Sequence, residues 1–550
     1  MANYTLRADG TAANLAAALD GDPTVASECL SLAGYASYGA GASPGDHFQL
    51  ADDGGDYRGT LSIKESGTSG DRYVYEAYSG DTPVINGSDL VATWSDEGSD
   101  IWSATLTTEP NQAWMDGTYG DRQVDLISCV NEYDWFWESN VLYVFAASDP
   151  DTRYTSPGVE TDIRSRCINT EAKEYLTFDG ITCSKSTSLG LFLNRGSGLE
   201  VKNCIGEWCW GDGIRYALGV GFTGSDITIE DSIGRYCGVG GISFTVSASG
   251  VLSNVIVRRN TTYENGRHQY ANPLWTGDHT YTSGIKLWAA NLHSSNVAVY
   301  ENKSYSNGAV ATILNSSQKG VGIWIDEMEG ESGDPISVHH NLCYDNHGSG
   351  IFLENTSWND VYGNLIYDCA TGSNANTPYV AGGIKVMCRS TYDSKSNVVV
   401  NNTVYNSYIG IHAATFEESG DLEFDDNTFK NNILAGCTYA IRTEDGAAND
   451  TWGTGNVYEN NCCGAEASNF IMWNTTAHST YDAWIAASSQ TDNNIEADPS
   501  FTNAGADDYT LAAGSPCIGA AENLGSPYDA ALLAASSWPD SVVTGSQDDY

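Results

Sequence analysis

Basic side chains are scarce in this sequence. The 550 residues hold 25 Lys and Arg against 71 Asp and Glu, a formal charge of −46 with the histidines neutral. A nucleic-acid partner would need its phosphates neutralised by Lys and Arg, so none is expected, and an anionic membrane surface is disfavoured on the same ground. No stretch approaches the roughly 20 apolar residues of a spanning helix, so membrane insertion is not expected. The opening MANYTLRADG has neither the basic nor the apolar region of a secretory signal. The 14 cysteines lack the spacing of a small-domain disulfide framework and form no CxxC pair with a matching His or Cys partner. They read as mostly buried free thiols, and no metal site is expected from them. What the chain does have is 15 Trp, 32 Tyr and 13 Phe, ample surface to bury, which argues against disorder.

Self-similarity sets the architecture. IGEWCWGDGI ends at Ile214 and IGRYCGVGGI ends at Ile242, 28 residues later with the same layout. VIVRRNTTYENG from Val255, VAVYENKSYSNG from Val297, ISVHHNLCYDNHG from Ile336 and DVYGNLIYDC from Asp360 repeat alternating aliphatics, an Asn and an aromatic or Cys. Alternation is the strand signal, and a short strand, an Asn turn and a second strand opening on Gly-Ile describe one coil of a parallel β-solenoid. The Gly-Ile strands open at Gly190, Gly213, Gly241, Gly284, Gly322, Gly350, Gly383 and Gly410, with Ala440 in the glycine place last. Asn260, Asn302, Asn341, Asn364, Asn402 and Asn427 read as an internal ladder, structural even though Asn260 and Asn302 lie in N-x-T/S sequons. The expected fold class is all-β, a solenoid with an N-terminal cap helix and a β-rich side lobe. Residues 1–90 make the cap and first coils, with Ala12 to Leu19 as the helix. Residues 91–155 make a Trp-rich lobe (Trp94, Trp102, Trp114, Trp135, Trp137), 156–465 the central solenoid with the cleft, and 466–550 the last coils and an acidic tail.

The period of two then sorts side chains. Position +1 after each Gly is apolar (Ile214 through Ile441), hence inward, so +2 and +4 face outward. Down the coils, +2 reads Phe192, Arg215, Ser243, Lys286, Trp324, Phe352, Lys385, His412 and Arg442: five of nine are basic, in a chain with 34 Lys, Arg and His in all. At +4, Asp326 and Glu354 occupy consecutive coils, flanked by Trp288, Trp324 and Phe352. Equivalent positions on neighbouring strands lie about 5 Å apart. Two carboxylates at that separation titrate apart, one becoming an acid at neutral pH, and the spacing is that of retaining glycosidases. Aromatic rings beside them suit sugar faces. The reaction needs no cofactor, although such a pair also suits Ca2+. The longest returns, RHQYANPLWTGDHTYT before Gly284, ILNSSQKG before Gly322 and TGSNANTPYVA before Gly383, are placed to wall a cleft, with His268, Asp278 and His279 as weaker site candidates. Of the pair His339 and His340, one is expected to point outward.

The stretch GVGIWIDEMEG…ISVHHNLCYDNHGSGIFLENTSWNDVYGNLIYD, from Gly320 to Asp368, resembles the right-handed parallel β-helix proteins related to pectate lyases. It is most similar to the β-helical glycoside hydrolases that include a β-xylosidase family, in which a W-x-D strand precedes an F-x-E strand by one coil. DTPVINGSDL and DPSF…GSPCIGA extend the resemblance toward both ends. It implies Asp326 as nucleophile and Glu354 as acid/base. The sequence departs from that pattern where Glu327 and Glu329 follow Asp326, where ESGDP lengthens the coil and where NTSWND follows Glu354.

Three functions are consistent with these features. One is a retaining hydrolase of an acidic or decorated polysaccharide, the row Arg215, Lys286, Lys385, His412 and Arg442 suggesting carboxylates or sulfates. Another is a polysaccharide lyase or epimerase with Lys286 or Lys385 as base. The third is a non-enzymatic glycan-binding fibre, adhesin or phage tail spike, a role in which β-solenoids are usually homotrimers. An extracellular or virion-associated setting is expected in each case.

Overall fold

A strand that buries Ile or Val on alternate positions satisfies its backbone only if another strand lies alongside, and a repeated sequence supplies that neighbour once per coil. The computed structural model describes residues 1–38, 41–266, 268, 281–308, 320–371, 382–389, 392–416, 423–445, 453–467, 469–474, 476–491 and 493–528. The chain is a right-handed parallel β-helix. It divides into two compact units, Met1–Ala217 with Ser232–Ile242 and Asn265–His279, and Leu218–Asp231 with Ser243–Glu264 and Thr280–Tyr550.

The first unit opens with parallel strands Asn3–Leu6, His47–Leu50 and Tyr73–Ala77, continued by Leu176–Asp179 and Leu199–Lys202. The helix expected over Ala12 to Leu19 is a single 3-10 turn, Leu15–Ala17, with Asn14 accepting a hydrogen bond from the Ala17 N–H. An Asn cap at its third residue leaves too few residues to propagate, and Leu19 instead bridges Tyr4 as extended chain. The cap's α-helix lies later, at Leu32–Ser37, capped by Ser31. Two antiparallel-rich sheets follow. One joins Thr118–Tyr119, Ala113–Met115, Val159–Asp162 and Ser88–Val91, and the other joins Asp121–Arg122, Asp134–Glu138, Val141–Phe145, Ile101–Thr105 and Ser95–Gly98. Their core gathers Met115, Trp135, Leu142 and Val144, with Trp94, Trp102 and Trp137 packed against it. Buried indoles find backbone partners, as Trp135 Nε1 does at Gly120 O, 3.0 Å away.

Coils of the second unit carry three strands each, for example Ile336–His339, Leu342–Tyr344 and Ile351–Glu354. The Gly-Ile strands stack in the register that the repeats imply: Ile285 pairs Ile323, then Ile351, Ile384, Ile411 and Ile441 in turn. Crowding demands glycine before Ile285 through Ile411, since a Cβ at Gly383 would sit 2.2 Å from Val404 Cγ1, whereas the last of these strands admits Ala440.

At one corner the Asn side chains form a ladder. The backbone N–H and Nδ2 of Asn260 both donate to Asn302 Oδ1 at 3.0 Å, and the pattern repeats through Asn341, Asn364, Asn402, Asn432, Asn461 and Asn494. From Asn260 to Asn461 each is preceded by a left-handed residue, such as Glu301 at φ 56° or His340 at φ 53°. Asn260 and Asn302 are fully buried, so neither sequon is open to modification in the folded chain. Asn427 is not in this series. It belongs to a second ladder, Asn359, Asn397, Asn427 and Asn456. Asn432, which follows the left-handed Asn431, takes the place expected for Asn427.

At the C-terminal end, hairpin Phe501–Asn503 with Asp508–Leu511 packs Tyr509 on Tyr367 and Tyr405, at 5.0 and 5.2 Å between ring centroids. The chain then runs to Tyr528, whose carbonyl accepts from Asn401 Nδ2. The rest of the acidic tail lies outside the described residues, as do Asp278, His279 and nearly all of the first return, the ILNSSQK part of the second and nearly all of the third. All 14 cysteines are free, and 13 are buried. No described helix is long and apolar enough to cross a membrane.

Candidate active site

The site lies on strands Ser283–Tyr300, Val321–Glu329 and Ile351–Glu354 of the second unit. Register places Lys286 beside Trp324, Trp288 beside Asp326, and Asp326 beside Glu354. Asp326 and Glu354 are 6% and 4% exposed, far less than outward-facing carboxylates on a single sheet. Lys286 Nζ lies 2.7 Å from Asp326 Oδ2 and 3.3 Å from the Trp324 ring centroid, so one ammonium both pairs with the carboxylate and caps the aromatic face.

The surface on which these residues were expected to lie is not an open one. Trp324, Phe352, Lys385 and His412 are all 0% exposed. Their own stacking explains much of this: Trp324 lies on Phe352 with ring centroids 5.5 Å apart, and both join Val321, Met387 and Ala414 in an apolar cluster. The outer face of the sheet thus carries a second packed layer. Trp324 and Phe352 therefore present no free face to a sugar. The half-exposed ring stacked on Trp324 is Tyr281, which the period-two reading missed because it precedes the strand.

The basic row is also committed internally. Arg215, in the first unit, is paired with Asp212 at 3.1 Å. Arg442 and His412 both reach Glu444, at 2.9 and 3.2 Å. Burial, and then the charge of Lys385, push His412 down to about 4, so it is neutral at pH 7. Although burial works against its charge, Glu444 is held below the usual carboxylate range by His412, Arg442 and Lys385. Lys385 Nζ lies 5.3 Å from the Phe352 ring centroid. The row is an ion-paired seam, because the acidic side chains between the cations neutralise them. His268, in the first unit, lies tilted against Trp208 at 4.9 Å between ring centroids and belongs to an aromatic cluster with Tyr119 and Tyr236.

A third carboxylate enters through the backbone. Glu327 follows Asp326 with φ 52°, and Asn355 follows Glu354 with φ 55°. In the second unit these are the described +5 positions with left-handed backbone. The pairing with strand Ser283–Tyr300 is irregular at the same point, where register jumps from Trp288/Asp326 to Leu292/Met328. Glu327 accepts a hydrogen bond from Trp288 Nε1 at 3.1 Å. Burial, and then the charges of Asp326 and Glu354, raise its pKa above the usual range, against the opposing pull of the Trp288 N–H and Lys286. Among the described residues, no group of three or more His, Cys, Asp or Glu side chains is disposed to hold a metal ion.

Residues 161–303 match the family model described as "Right handed beta helix region". No curated protein matches the chain. Similar solved structures include a complex of XylC with xylose, 14% identical over 84% of this chain and 75% of that one, with a TM-score of 0.48. A protein described as a glycoside hydrolase is 11% identical over 84% and 96%, with a TM-score of 0.48. The A-module of the Azotobacter vinelandii mannuronan C-5 epimerase AlgE4 is 12% identical over 83% and 89%, with a TM-score of 0.39. The fold assignment rests on the coils themselves.

Proposed function

We propose that the protein is a retaining glycoside hydrolase acting on a polysaccharide or oligosaccharide. The observation that carries this reading is a buried, lysine-paired Asp326 in direct register with a second buried carboxylate, Glu354. The ammonium of Lys286 favours the charged form of Asp326, which suits it to attack the anomeric carbon. Glu354 then protonates the leaving oxygen, and in the second step takes a proton from the water that releases the sugar. Neighbouring parallel strands set the separation near the ~5 Å that retention requires. Tyr281 and Trp288 offer partly exposed rings beside the pair. A lyase using Lys286 as base is less well supported, because an ion-paired ammonium has no lone pair to accept a proton.

Hydrolysis of a glycoside panel, with the product followed by NMR, tests the reading. The expected product keeps its anomeric configuration and is lost in Asp326→Asn. An inverted product, or an unsaturated one absorbing in the ultraviolet, overturns it.

A further inference from the structure

In a regular strand Glu327 would face the core. Asp326 at +4 points outward, so +5 should point in, where Ile323 and Ile325 lie fully buried. The positive φ at Glu327 breaks that alternation, and left-handed backbone is costly for a long side chain. Its carboxylate is consequently delivered to the Asp326 side of the sheet, where the indole N–H of Trp288 holds it. Irregular pairing that re-aims a side chain is typical beside active sites. The result is a site in which Asp326 and Glu354 both act on Glu327, and Lys286 acts on it while already paired with Asp326.

Resting on the hydrolase reading, we propose that Glu327 is a specificity-determining residue that selects sugars without negative charge at the ring being cleaved. Uronic and sulfated sugars place an anion within a few ångströms of the anomeric carbon, and Glu327 repels it, while Lys286, the described cation that acts on Glu327, is already paired with Asp326. The substrate class is therefore a neutral or amino sugar, despite the abundance of basic residues along the same row. One like charge at about 6–10 Å, at the effective dielectric of a protein surface, discriminates about ten- to a hundredfold.

The experiment compares p-nitrophenyl glycosides that differ only at C6, glucoside against glucuronide and galactoside against galacturonide, in the wild type, Glu327→Gln and Glu327→Gly. The glycine variant removes the charge while relieving the left-handed backbone, so the two variants do not share a folding risk. The neutral member is expected to win by at least about tenfold in kcat/KM, and both variants are expected to cut that ratio about tenfold or more. Equal or better turnover of the acid member by the wild type, or an unchanged ratio in a folded variant, overturns the proposal. If the wild type cleaves neither these four nor any member of the glycoside panel, the hydrolase reading fails. Calorimetric binding of the corresponding methyl glycosides then decides the selectivity. A neutral preference erased by Glu327→Gln supports it, and no preference or no binding overturns it.

Discussion

Two rows of polar side chains run along the coils of the second unit, and they are built on opposite principles. The Asn260 to Asn494 ladder is uniform: every member donates twice to the next, and Nδ2 atoms such as that of Asn341 also reach a backbone carbonyl, Val299 O at 2.9 Å. It asks nothing of solvent or ligand. The row through Lys286, Asp326, Glu354, Lys385, His412 and Glu444 is heterogeneous, since successive coils contribute different charges and its local pairing irregularity and left-handed Glu327 fall at Asp326. Repetition at one corner stabilises the coil whatever the neighbouring side chain does. Left-handed backbone occurs in both, but the loss of repetition at the second row, at the cost of buried charge, is the mark of a site.

Asp326→Asn separates the two most sharply. Activity is expected to fall by about a thousandfold or more, the scale of losing a nucleophile or acid/base partner, while the melting temperature moves less than for any ladder variant. Glycoside turnover and thermal unfolding on the same sample check both halves.

The converse variant is Asn341→Ala. It strips Asn302 of its acceptor for two donors and leaves Val299 O without a side-chain donor. Buried groups left unpaired cost ~1–3 kcal/mol each, so a loss of about 4 kcal/mol is expected in denaturant unfolding, with kcat/KM of the folded fraction unchanged. A ladder variant that is stable but inactive would break the comparison.

Protons act on the row and leave the ladder untouched, since asparagine does not titrate. His412 is held neutral by burial, with its pKa at about 4 against 6.5 when unfolded. Its contribution to stability is therefore present above pH 6.5 and is lost as pH falls toward 4. Over that window it amounts to at most about 3 kcal/mol. His412→Gln should flatten this part of the stability profile measured by urea titration between pH 7 and 4. A profile unchanged by the substitution would show that His412 takes up its proton as readily in the fold as in the unfolded chain.

The coil register is legible because Gly-Ile marks a close approach that excludes a Cβ at Gly322 and Gly350, and counting from it puts Asp326 opposite Glu354. The thiols were legible as well, 13 of the 14 being buried. The ladder is legible up to Asn402 and slips at Asn427, because NTFKNN from Asn427 offers three asparagines, two of them preceded by a left-handed residue, and only the hydrogen bonds from Asn402 to Asn432 Oδ1 decide between them. Period two tells which side of a sheet a residue faces and not whether a further layer covers that side, so it puts Trp324, Phe352, Lys385 and His412 on the outer face without showing that they are buried there. Nor does any residue type announce a glutamate at φ 52°, which is why Glu327 registered in the sequence only as a departure.

Trp288→Phe probes that last feature with the smallest expected effect. The ring stays to face a sugar, but the Nε1 donor to Glu327 is removed. One hydrogen bond to a carboxylate contributes about 1–2 kcal/mol, and only part of it bears on where Glu327 sits, so neutral substrates should be cleaved within about threefold of the wild type. The preference for neutral over acidic sugars should weaken about threefold, because a carboxylate released from the indole spends less time against the substrate. Its pKa should rise further, since the Trp288 N–H now opposes the increase caused by burial and by Asp326. If the variant instead loses activity as completely as Asp326→Asn while keeping its fold, the indole N–H acts in the chemistry itself, and the division between a catalytic pair and a selecting third carboxylate must be redrawn.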